Sequence, residues 1–599
     1  MSHATSTIAP AILERAKYWA TAPVFDAQTR SEIAQLIETG NAKELDDRFY
    51  RDLEFGTGGL RGILGAGTAR MNYYNIRKAA CALAQYVQAA YPNKSNSIAI
   101  AYDSRRFSRE FAQATAEVMA AHRIKTYITK ELRPVPMLSF FVRHFGCAAG
   151  VCVTASHNPP EYNGFKVYWT TGGQVVPPHD AEIIRRYNGI TDYESIPSMP
   201  FEQAERAGLV EFIGEDIDRL YFDKVAGLSL RAQGRNDFKI VYTPLHGSGA
   251  YPVSECLRRF GFEKVWVVPE QEKPNGNFPT VKYPNPEEPD ALKMAVDLAK
   301  KVGADLVLGT DPDSDRVGIV IREGNDYLFL NGNQIGCLLI EYYLSALKET
   351  GKMPPNALVI KTIVTTELQD AIAKHYGADV EDTLTGFKWM CQLIEDYESG
   401  KRLPYKKYVC GGEESFGYLF DSFVRDKDGV ISCCMAAEMV AYYKSKGLGV
   451  TQVLDQIFRR HGVYQESLKT VTLPGKEGAE KINAMMQRLR ANPPREIGGV
   501  SVEILRDIKT SAEYSFEAGK MQKIRSLTLS SSDVLQFILK DGSKVSARPS
   551  GTEPKIKFYV SVREAVRPDI SDAELRKVKQ NCLQRIAAIE SQFTQLAQS

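Results

Sequence analysis

The sequence carries almost no net charge: 75 lysines and arginines face 73 aspartates and glutamates, leaving +2 over 599 residues. A chain built to hold nucleic acid shows a basic bias, so nucleic acid is not expected as a partner. Long hydrophobic runs are missing too, and no stretch reaches the roughly 20 apolar residues that a membrane-crossing helix needs. The opening residues, "MSHATSTIAPAILERAKYWATAP", show no basic segment followed by an apolar core and cleavage site, so a cytoplasmic protein without a membrane partner is expected. The ten cysteines are scattered, and the closest pair, Cys433 and Cys434, is adjacent. That spacing excludes zinc-type pairs and a secreted disulfide framework, and it predicts reduced, buried thiols. No Pro/Ser-rich or low-complexity tract marks a flexible linker, so the units of this chain are expected to pack around a shared cleft.

With 44% hydrophobic and 25% charged residues, the composition is that of an ordinary globular protein. Its length exceeds what one core usually serves and predicts about three to five domains, which excludes a small binding module. After about fifty mostly helical residues, strand-like and helix-like runs alternate. "SIAIAY", a helical run over 108–121, "KTYIT", "VPMLSFFVRHFG" and "AAGVCVT" form a first set. "DFKIVYTPL", "KVWVVP", a helical run over 290–302 and "ADLVLGTDP" form a second, and "ALVIKTIV", "ADVEDTLTG" and "KYVCGGEES" a third. Such alternation predicts three successive α/β units with ligand-binding loops at the strand carboxyl ends. From about residue 498 the pattern changes to strands ("VSVEILRDIK", "VLQFILKDGSKVSARPSG", "KIKFYVSV") followed by a helical run over 572–597, which predicts a separate α+β domain.

Four loops at these positions carry chemistry. In "GVCVTASHNPPEYNGFKVYW" a strand breaks at Ser156, His157 and Asn158 and resumes ten residues after the serine. Turn chemistry alone would suit Ser-His-Asn-Pro-Pro, with Ser156 a surface-loop hydroxyl. A nucleophile elbow needs Gly-x-Ser-x-Gly, and Thr154 and Asn158 stand at the glycine positions. The second loop, "GTDPDSDRVG", alternates Asp311, Asp313 and Asp315 between apolar strands. Three like charges there are costly without a cation, and a hard ion such as Mg²⁺ suits three carboxylates. An EF-hand fails, because its glycine and terminal glutamate positions hold Arg316 and Arg322. Arg316 can hold an anion beside the metal. The third, "CGGEESFG", offers Glu413 and Ser415 to paired sugar hydroxyls, or is merely an acidic turn. The fourth, "ARPSGTEPKIKFY", gathers Arg548, Ser550, Gly551, Thr552 and Lys555 into a nest suited to a dianionic phosphate. A hydroxyl nucleophile, a metal loop, a sugar loop and a phosphate nest together describe phosphoryl transfer on a phosphorylated sugar.

Taken in order, "TASHNP", "DPDSDR", "GEESFG" and "RPSGTEP" resemble the signatures of the α-D-phosphohexomutase family, the phosphoglucomutases and phosphomannomutases. "LEFGTGGLRG" and "VRDKDG" are similar to its bacterial phosphoglucomutase branch. The resemblance implies an α/β fold of four domains around a central cleft: three related α/β units with mixed sheets and a smaller α+β domain. The expected bounds are a helical extension over 1–50, domain 1 over 51–220, domain 2 over 221–330, domain 3 over 331–470 and domain 4 over 471–599. It implies that Ser156 carries the phosphoryl group and joins Asp311, Asp313 and Asp315 in holding Mg²⁺. Arg61 and Arg316 would neutralise the group in transfer, and His157 and Lys166 match positions of proton transfer. Lys388, Glu413, Ser415 and Lys427 match substrate contacts, and Arg548, Ser550, Gly551, Thr552 and Lys555 match the distal phosphate loop. One departure is Gly417, where some family members have histidine.

The implied activity is interconversion of glucose 1-phosphate and glucose 6-phosphate through a phosphoserine and a sugar 1,6-bisphosphate, with catalytic glucose 1,6-bisphosphate as activator. Phosphomannomutase or phosphopentomutase activity is the alternative, and a monomer or homodimer the expected assembly. An aspartate-nucleophile phosphatase needs Asp-x-Asp-x-Thr/Val, and Asp315 stands at its last position. A sugar-phosphate binding protein without catalysis would not need Ser156 beside three aspartates.

Overall fold

Alternation of strand and helix builds the chain from its amino-terminal third onward, in a computed structural model that describes residues 8–598 apart from 57, 93, 474, 518–519 and 551–554. Contacts divide the chain into two compact units. The first holds the residues up to Leu330 together with Phe387–Tyr405 and Ser415–Tyr442; the second holds Asn331–Gly386, Lys406–Glu414 and the chain from Tyr443 on.

The first unit contains two mixed sheets. One runs in the order Gly59–Ile63, Tyr162–Trp169, Ala149–Val153, Ser97–Tyr102, Lys125–Thr129, Val210–Ile213, with the first two junctions antiparallel and the rest parallel. Every residue of Ala149–Val153 is buried, as expected of a parallel strand covered on both faces. Gly150 has a packing reason: a Cβ there would come within 2.5 Å of Val142 on the covering helix Val135–His144. The helix expected over 108–121 is present at Ser108–Ala121. The amino-terminal helices Pro10–Thr21, Ala27–Glu38 and Ala42–Phe49 join this core through Trp19, which stacks on Phe25 at 4.2 Å and meets Tyr74 and Tyr193 edge-on, both at 5.6 Å.

The second sheet runs Asp326–Phe329, Val317–Glu323, Leu306–Thr310, Lys239–Thr243, Lys264–Val267. Its antiparallel pair Leu306–Thr310 and Val317–Glu323 brackets the aspartate loop. The helix expected over 290–302 begins instead as a 3₁₀ turn, Pro289–Leu292, before Lys293–Val302; Pro289 suits that first turn.

In the second unit, Ala357–Thr362 lies between Asp379–Thr383 and Lys407–Glu413, all parallel. A β-rich sheet follows in the order Val463–Thr472, Lys555–Glu564, Lys544–Pro549, Leu535–Leu539, Val500–Asp507, Ala512–Glu517, Lys520–Ser526, antiparallel throughout. Phe593 of the helix Asp572–Gln598 covers it, 5.1 Å from Phe558. Strand Val463–Thr472 spans the expected boundary at 470/471 and pairs along its whole length with Lys555–Glu564, so the chain enters this sheet at Val463. The hairpin of Ala512–Glu517 and Lys520–Ser526 was not expected; its outer strand, "KMQKIRS", is polar and largely exposed and gives no apolar alternation to read. Three α/β units and a β-rich carboxy-terminal domain thus make up the chain. All ten cysteines are free and buried, and no helix of the described residues is long and apolar enough to cross a membrane.

Candidate active site around Ser156 and the three aspartates

The buried strand Ala149–Val153 delivers Thr154 and then turns sharply. Ser156 sits in the left-handed region at φ 51°, a conformation that costs a non-glycine residue roughly 1–2 kcal/mol and that marks functional turns when the surroundings enforce it. Its amide donates to Thr154 Oγ1 at 2.8 Å, and its hydroxyl donates to Asp311 Oδ2 at 2.6 Å. Read from sequence as a surface-loop hydroxyl, Ser156 is instead 3% exposed, because the aspartate loop covers it. His157 Nδ1 lies 3.2 Å from the same hydroxyl. Burial, with Arg316 and Arg61 nearby, holds the imidazole well below its ordinary pKa, so it is neutral at pH 7.

Opposite, the buried strand Leu306–Thr310 ends at Asp311. Asp311, Asp313 and Asp315 are fully or almost fully buried, and one carboxylate oxygen from each lies within 4.8 Å of the other two. Asp311 Oδ1 accepts the amides of Asp315 (3.1 Å) and Arg316 (3.2 Å), which fixes the loop. A neighbouring turn closes against it: a Cβ on Gly247 would stand 2.3 Å from Pro312 Cα, and Ser248 donates both its amide and its hydroxyl to the Pro312 carbonyl.

Two lysines enter this cluster. Lys166, on the returning strand Tyr162–Trp169, donates to Asp313 Oδ2 at 2.7 Å and lies 3.5 Å from Asp315 Oδ2. Lys427 reaches Asp315 Oδ2 at 3.0 Å and Asp426 Oδ1 at 3.3 Å. Burial pushes the Asp311 carboxyl above the usual range, with Asp313 and Asp315 adding like charge. Burial acts the same way on Asp315 but is outweighed by Lys427, Lys166 and Arg316, which hold it below the carboxylate range. Burial would lower Lys166, and Asp313 and Asp315 overcome it, so its pKa is raised. Asp313 Oδ1 and Asp315 Oδ1 are buried with no hydrogen-bond partner among the described residues. Two orphaned carboxylate oxygens in an all-oxygen cluster fit a hard divalent cation held by Asp311, Asp313 and Asp315.

Arg61, on strand Gly59–Ile63, donates to Asn158 Oδ1 at 3.2 Å, and Arg316 is paired with Glu287. The first unit thus brings Ser156, His157, Lys166, Arg61, Arg316, Lys427 and the three aspartates together. Lys388, on helix Phe387–Glu398, lies 3.9 Å from Asp180 and 5.0 Å from the Trp389 ring centroid, and burial lowers its pKa. Ser415 is half-buried in the same unit. In the second unit Glu413 Oε1 accepts the Gly386 amide at 2.8 Å. Arg548 lies next to the last residue of the strand Lys544–Pro549, beside Tyr559, and the Ser550 amide donates to the Lys555 carbonyl at 2.8 Å. Gly551 and Thr552 lie outside the described residues.

Gly417 acquires a physical reason. A Cβ there would stand 2.1 Å from Lys427 Cδ, so the lysine stem fills the space a side chain would need. Gly417→Ala and Gly417→His are expected to displace Lys427 from Asp315 and to lower kcat tenfold or more, about what a displacement of some tenths of an ångström costs in a preorganised site. Steady-state rates within twofold of the parent would show that Lys427 tolerates the shift.

Sequence reasoning missed Asp103, Arg105, Glu287 and Asp426. The available signal was weak: the buried strand Ser97–Tyr102 runs straight into "DSRR", a carboxylate and guanidinium pair at a strand end.

Known proteins with similar chains supply the class. Three family models match in order: the phosphoglucomutase/phosphomannomutase alpha/beta/alpha domain I at residues 52–194, domain II at 219–324 and domain III at 331–461. A phosphoglucomutase from Staphylococcus aureus (strain bovine RF122 / ET3-1) is 36% identical over 535 residues, 89% of this chain and 94% of that protein. The same enzyme from strain MRSA252 is 36% identical over 544 residues, 90% and 95% of the two chains. Among solved structures, the phosphoglucomutase parafusin from Paramecium, in its open form, shares the fold at TM-score 0.62 and 17% identity, over 90% of this chain and 96% of that one. A phosphoglucomutase/phosphomannomutase family protein from Burkholderia thailandensis does so at TM-score 0.60 and 18% identity, over 89% and 96%. These matches define a phosphohexomutase, an isomerase. The chain belongs to the phosphoglucomutase/phosphomannomutase family.

Proposed function

We propose that this enzyme interconverts glucose 1-phosphate and glucose 6-phosphate by way of a phosphoserine at Ser156 and glucose 1,6-bisphosphate, and that it works in the cytoplasm. The observation that carries the reading is the 2.6 Å bond from the Ser156 hydroxyl to Asp311 within a buried cluster of three carboxylates and two lysines. The phosphoglucomutases of Staphylococcus aureus supply the preference for glucose. Phosphorylated Ser156 gives its phosphoryl group to the free hydroxyl of a sugar monophosphate: the serine O–P bond breaks, a sugar O–P bond forms, and the hydroxyl proton leaves to a base. The bisphosphate then returns its other phosphoryl group to Ser156, so glucose 1,6-bisphosphate also serves as activator. His157 Nδ1 lies 3.2 Å from the serine oxygen and Lys166 is paired with Asp313; one or the other would exchange that proton. Arg61 and Arg316 would offset charge on the group in flight, where preorganised donors act most strongly. Mg²⁺ held by Asp311, Asp313 and Asp315 with a serine-phosphate oxygen would neutralise developing charge on the phosphoryl oxygens. Lys388, Glu413, Ser415 and Lys427 would bind the sugar, and Arg548, Ser550, Gly551, Thr552 and Lys555 the phosphate that is not reacting.

Two measurements test this. Intact mass of the purified enzyme should show one phosphate that disappears in Ser156→Ala. Relative kcat/KM for glucose, mannose, glucosamine and ribose 1-phosphates, with bisphosphate present, should favour glucose; a preference for mannose or ribose would assign the alternative activity. Because both substrate orientations present a phosphate to Arg548, Arg548→Ala should lower kcat/KM in both directions. The expected loss is about ten- to a hundredfold, the worth of a charge-assisted hydrogen bond of roughly 1.5 to 3 kcal/mol. A loss in one direction only would remove Arg548 from the shared phosphate site.

A further inference from the structure

The chain just past the strand Ser97–Tyr102 does something the reaction scheme above does not use. Arg105 is buried, yet its guanidinium is turned toward backbone. Nη2 donates to the Ser156 carbonyl at 2.5 Å and to the Asn158 carbonyl, and Nη1 donates to the carbonyls of Pro159 (2.8 Å) and Tyr162 (3.0 Å). Four carbonyls of one turn therefore converge on a single side chain. A guanidinium is the side chain suited to this, having five donors in a fixed plane and a charge that persists when buried.

The guanidinium is itself held on two sides. Asp103 Oδ2 lies 3.4 Å from Arg105 Nε, while Asp103 Oδ1 accepts the Arg105 amide at 2.9 Å and the Ser108 hydroxyl at 2.8 Å. Phe278 places its ring 4.9 Å from Arg105 Cζ, and its loop presses on the same backbone: a Cβ on Gly276 would stand 2.5 Å from the Arg106 amide nitrogen. Asp103 Oδ2 also accepts the Thr154 hydroxyl at 2.6 Å, and Thr154 Oγ1 is the atom that receives the Ser156 amide. Ser156 is thus gripped at its carbonyl by Arg105 and at its amide by Thr154, and both grips rest on Asp103.

We propose that Arg105, oriented by Asp103, is a positioning residue for the phosphoryl acceptor. It holds residues 156–162 in the turn that keeps Ser156 left-handed and its oxygen on Asp311. The inference rests on the assignment of Ser156 as the phosphoryl carrier. Because the clasp touches only the backbone of this turn, removing it leaves Lys388, Glu413, Ser415 and Lys427 untouched and loosens the serine oxygen together with its neighbours His157 and Asn158. An acceptor misplaced by about 1 Å costs on the order of a hundredfold in rate while ground-state binding is largely kept.

The test uses Arg105→Lys and Arg105→Ala in the full chain. It measures kcat and KM for glucose 1-phosphate, the rate at which dephosphorylated enzyme takes up phosphate from glucose 1,6-bisphosphate, and the response to added guanidinium. The expected result is a fall of about a hundredfold in both kcat and the loading rate with KM changed less than about threefold. Free guanidinium, but not methylammonium, should restore part of the rate in Arg105→Ala. Should Arg105→Ala fail to fold, Arg105→Lys carries the test, since lysine keeps a cation opposite Asp103 without the four-carbonyl geometry. Near-parental kcat and loading in a folded variant overturns the inference, as does a loss confined to KM, and failure of both variants to fold makes Arg105 a folding residue instead. Wild-type enzyme that never acquires a phosphate would bring down the Ser156 assignment itself, which separates that failure from this one.

Discussion

Ser156→Ala is expected to be inactive, with kcat down by about 10⁴-fold or more, the scale seen when a covalent nucleophile is removed. Thr154 also donates to the triad, to Asp313 Oδ2 at 3.2 Å, but its hydroxyl is engaged with Asp103 and the Ser156 amide, and the left-handed Ser314 donates to the Asp311 backbone carbonyl rather than to a carboxylate, so neither is expected to take the phosphoryl group. The fold should survive. Alanine at φ 51° is strained about as much as serine is, and the surrounding clasp acts on the backbone rather than on the hydroxyl. What is lost locally is the donor to Asp311 Oδ2, whose absence costs roughly 1–3 kcal/mol if the carboxylate is left without a replacement. The variant should therefore melt slightly below the parent and gain more than the parent from added Mg²⁺. The check is a coupled assay with contaminating mutase excluded, alongside intact mass after incubation with glucose 1,6-bisphosphate. Near-normal turnover, or phosphate still carried by the variant, would remove Ser156 from the chemistry.

The second large effect is expected at Asp313. Its Oδ1 is one of the two orphaned buried oxygens, and its Oδ2 accepts from Lys166 at 2.7 Å. Asp313→Asn keeps the volume, removes a charge from the candidate metal site, and leaves Lys166 buried with one carboxylate fewer. Both consequences fall on the group being transferred rather than on the sugar. Loss should thus appear as at least about a hundredfold in kcat with a much smaller change in KM, and the Mg²⁺ concentration for half-maximal rate should rise. An unchanged Mg²⁺ dependence with kcat near the parental value would place the ion elsewhere. A rise in KM alone would mean that Asp313 serves ground-state binding.

The residues proposed to react stand out in the sequence because each is a polar side chain just past an apolar strand: Ser156 after "GVCV", Asp311 after "LVLG". That contrast survives in one dimension. The supporting residues have no such contrast. Arg105 acts on carbonyls, which every residue carries, and nothing in "DSRRFS" says that its partners lie 51 to 57 positions later. Gly417 was read as a departure from the family pattern, and its reason is the stem of Lys427, ten positions on. The α/β layers were legible through buried strands such as Ala149–Val153, whereas the strand Gly59–Ile63, with two glycines in five residues, gave no pattern. It forms by pairing with Tyr162–Trp169, and Gly59 is required because a Cβ there would meet the Phe165 carbonyl oxygen at 1.8 Å, a constraint visible only once the neighbouring strand is in place.

The three family segments are consecutive in sequence, but the first compact unit is not: it takes up residues 387–405 and 415–442 after the chain has left it at Leu330. Lys427 is therefore translated 112 residues after Asp315 (427 − 315), its partner at 3.0 Å. On the ribosome, a nascent chain ending at Leu330 would leave the aspartates lacking one of their two lysine counter-charges. Domains that emerge in order usually fold in order, but here the reacting centre should mature only when the "RDKDG" segment clears the exit tunnel. A fragment cut at Leu330 would hold Ser156 and all three aspartates and still be a poor catalyst. Adding residues 387–442 in trans, rather than lengthening the fragment at its amino end, is the complementation that would restore it.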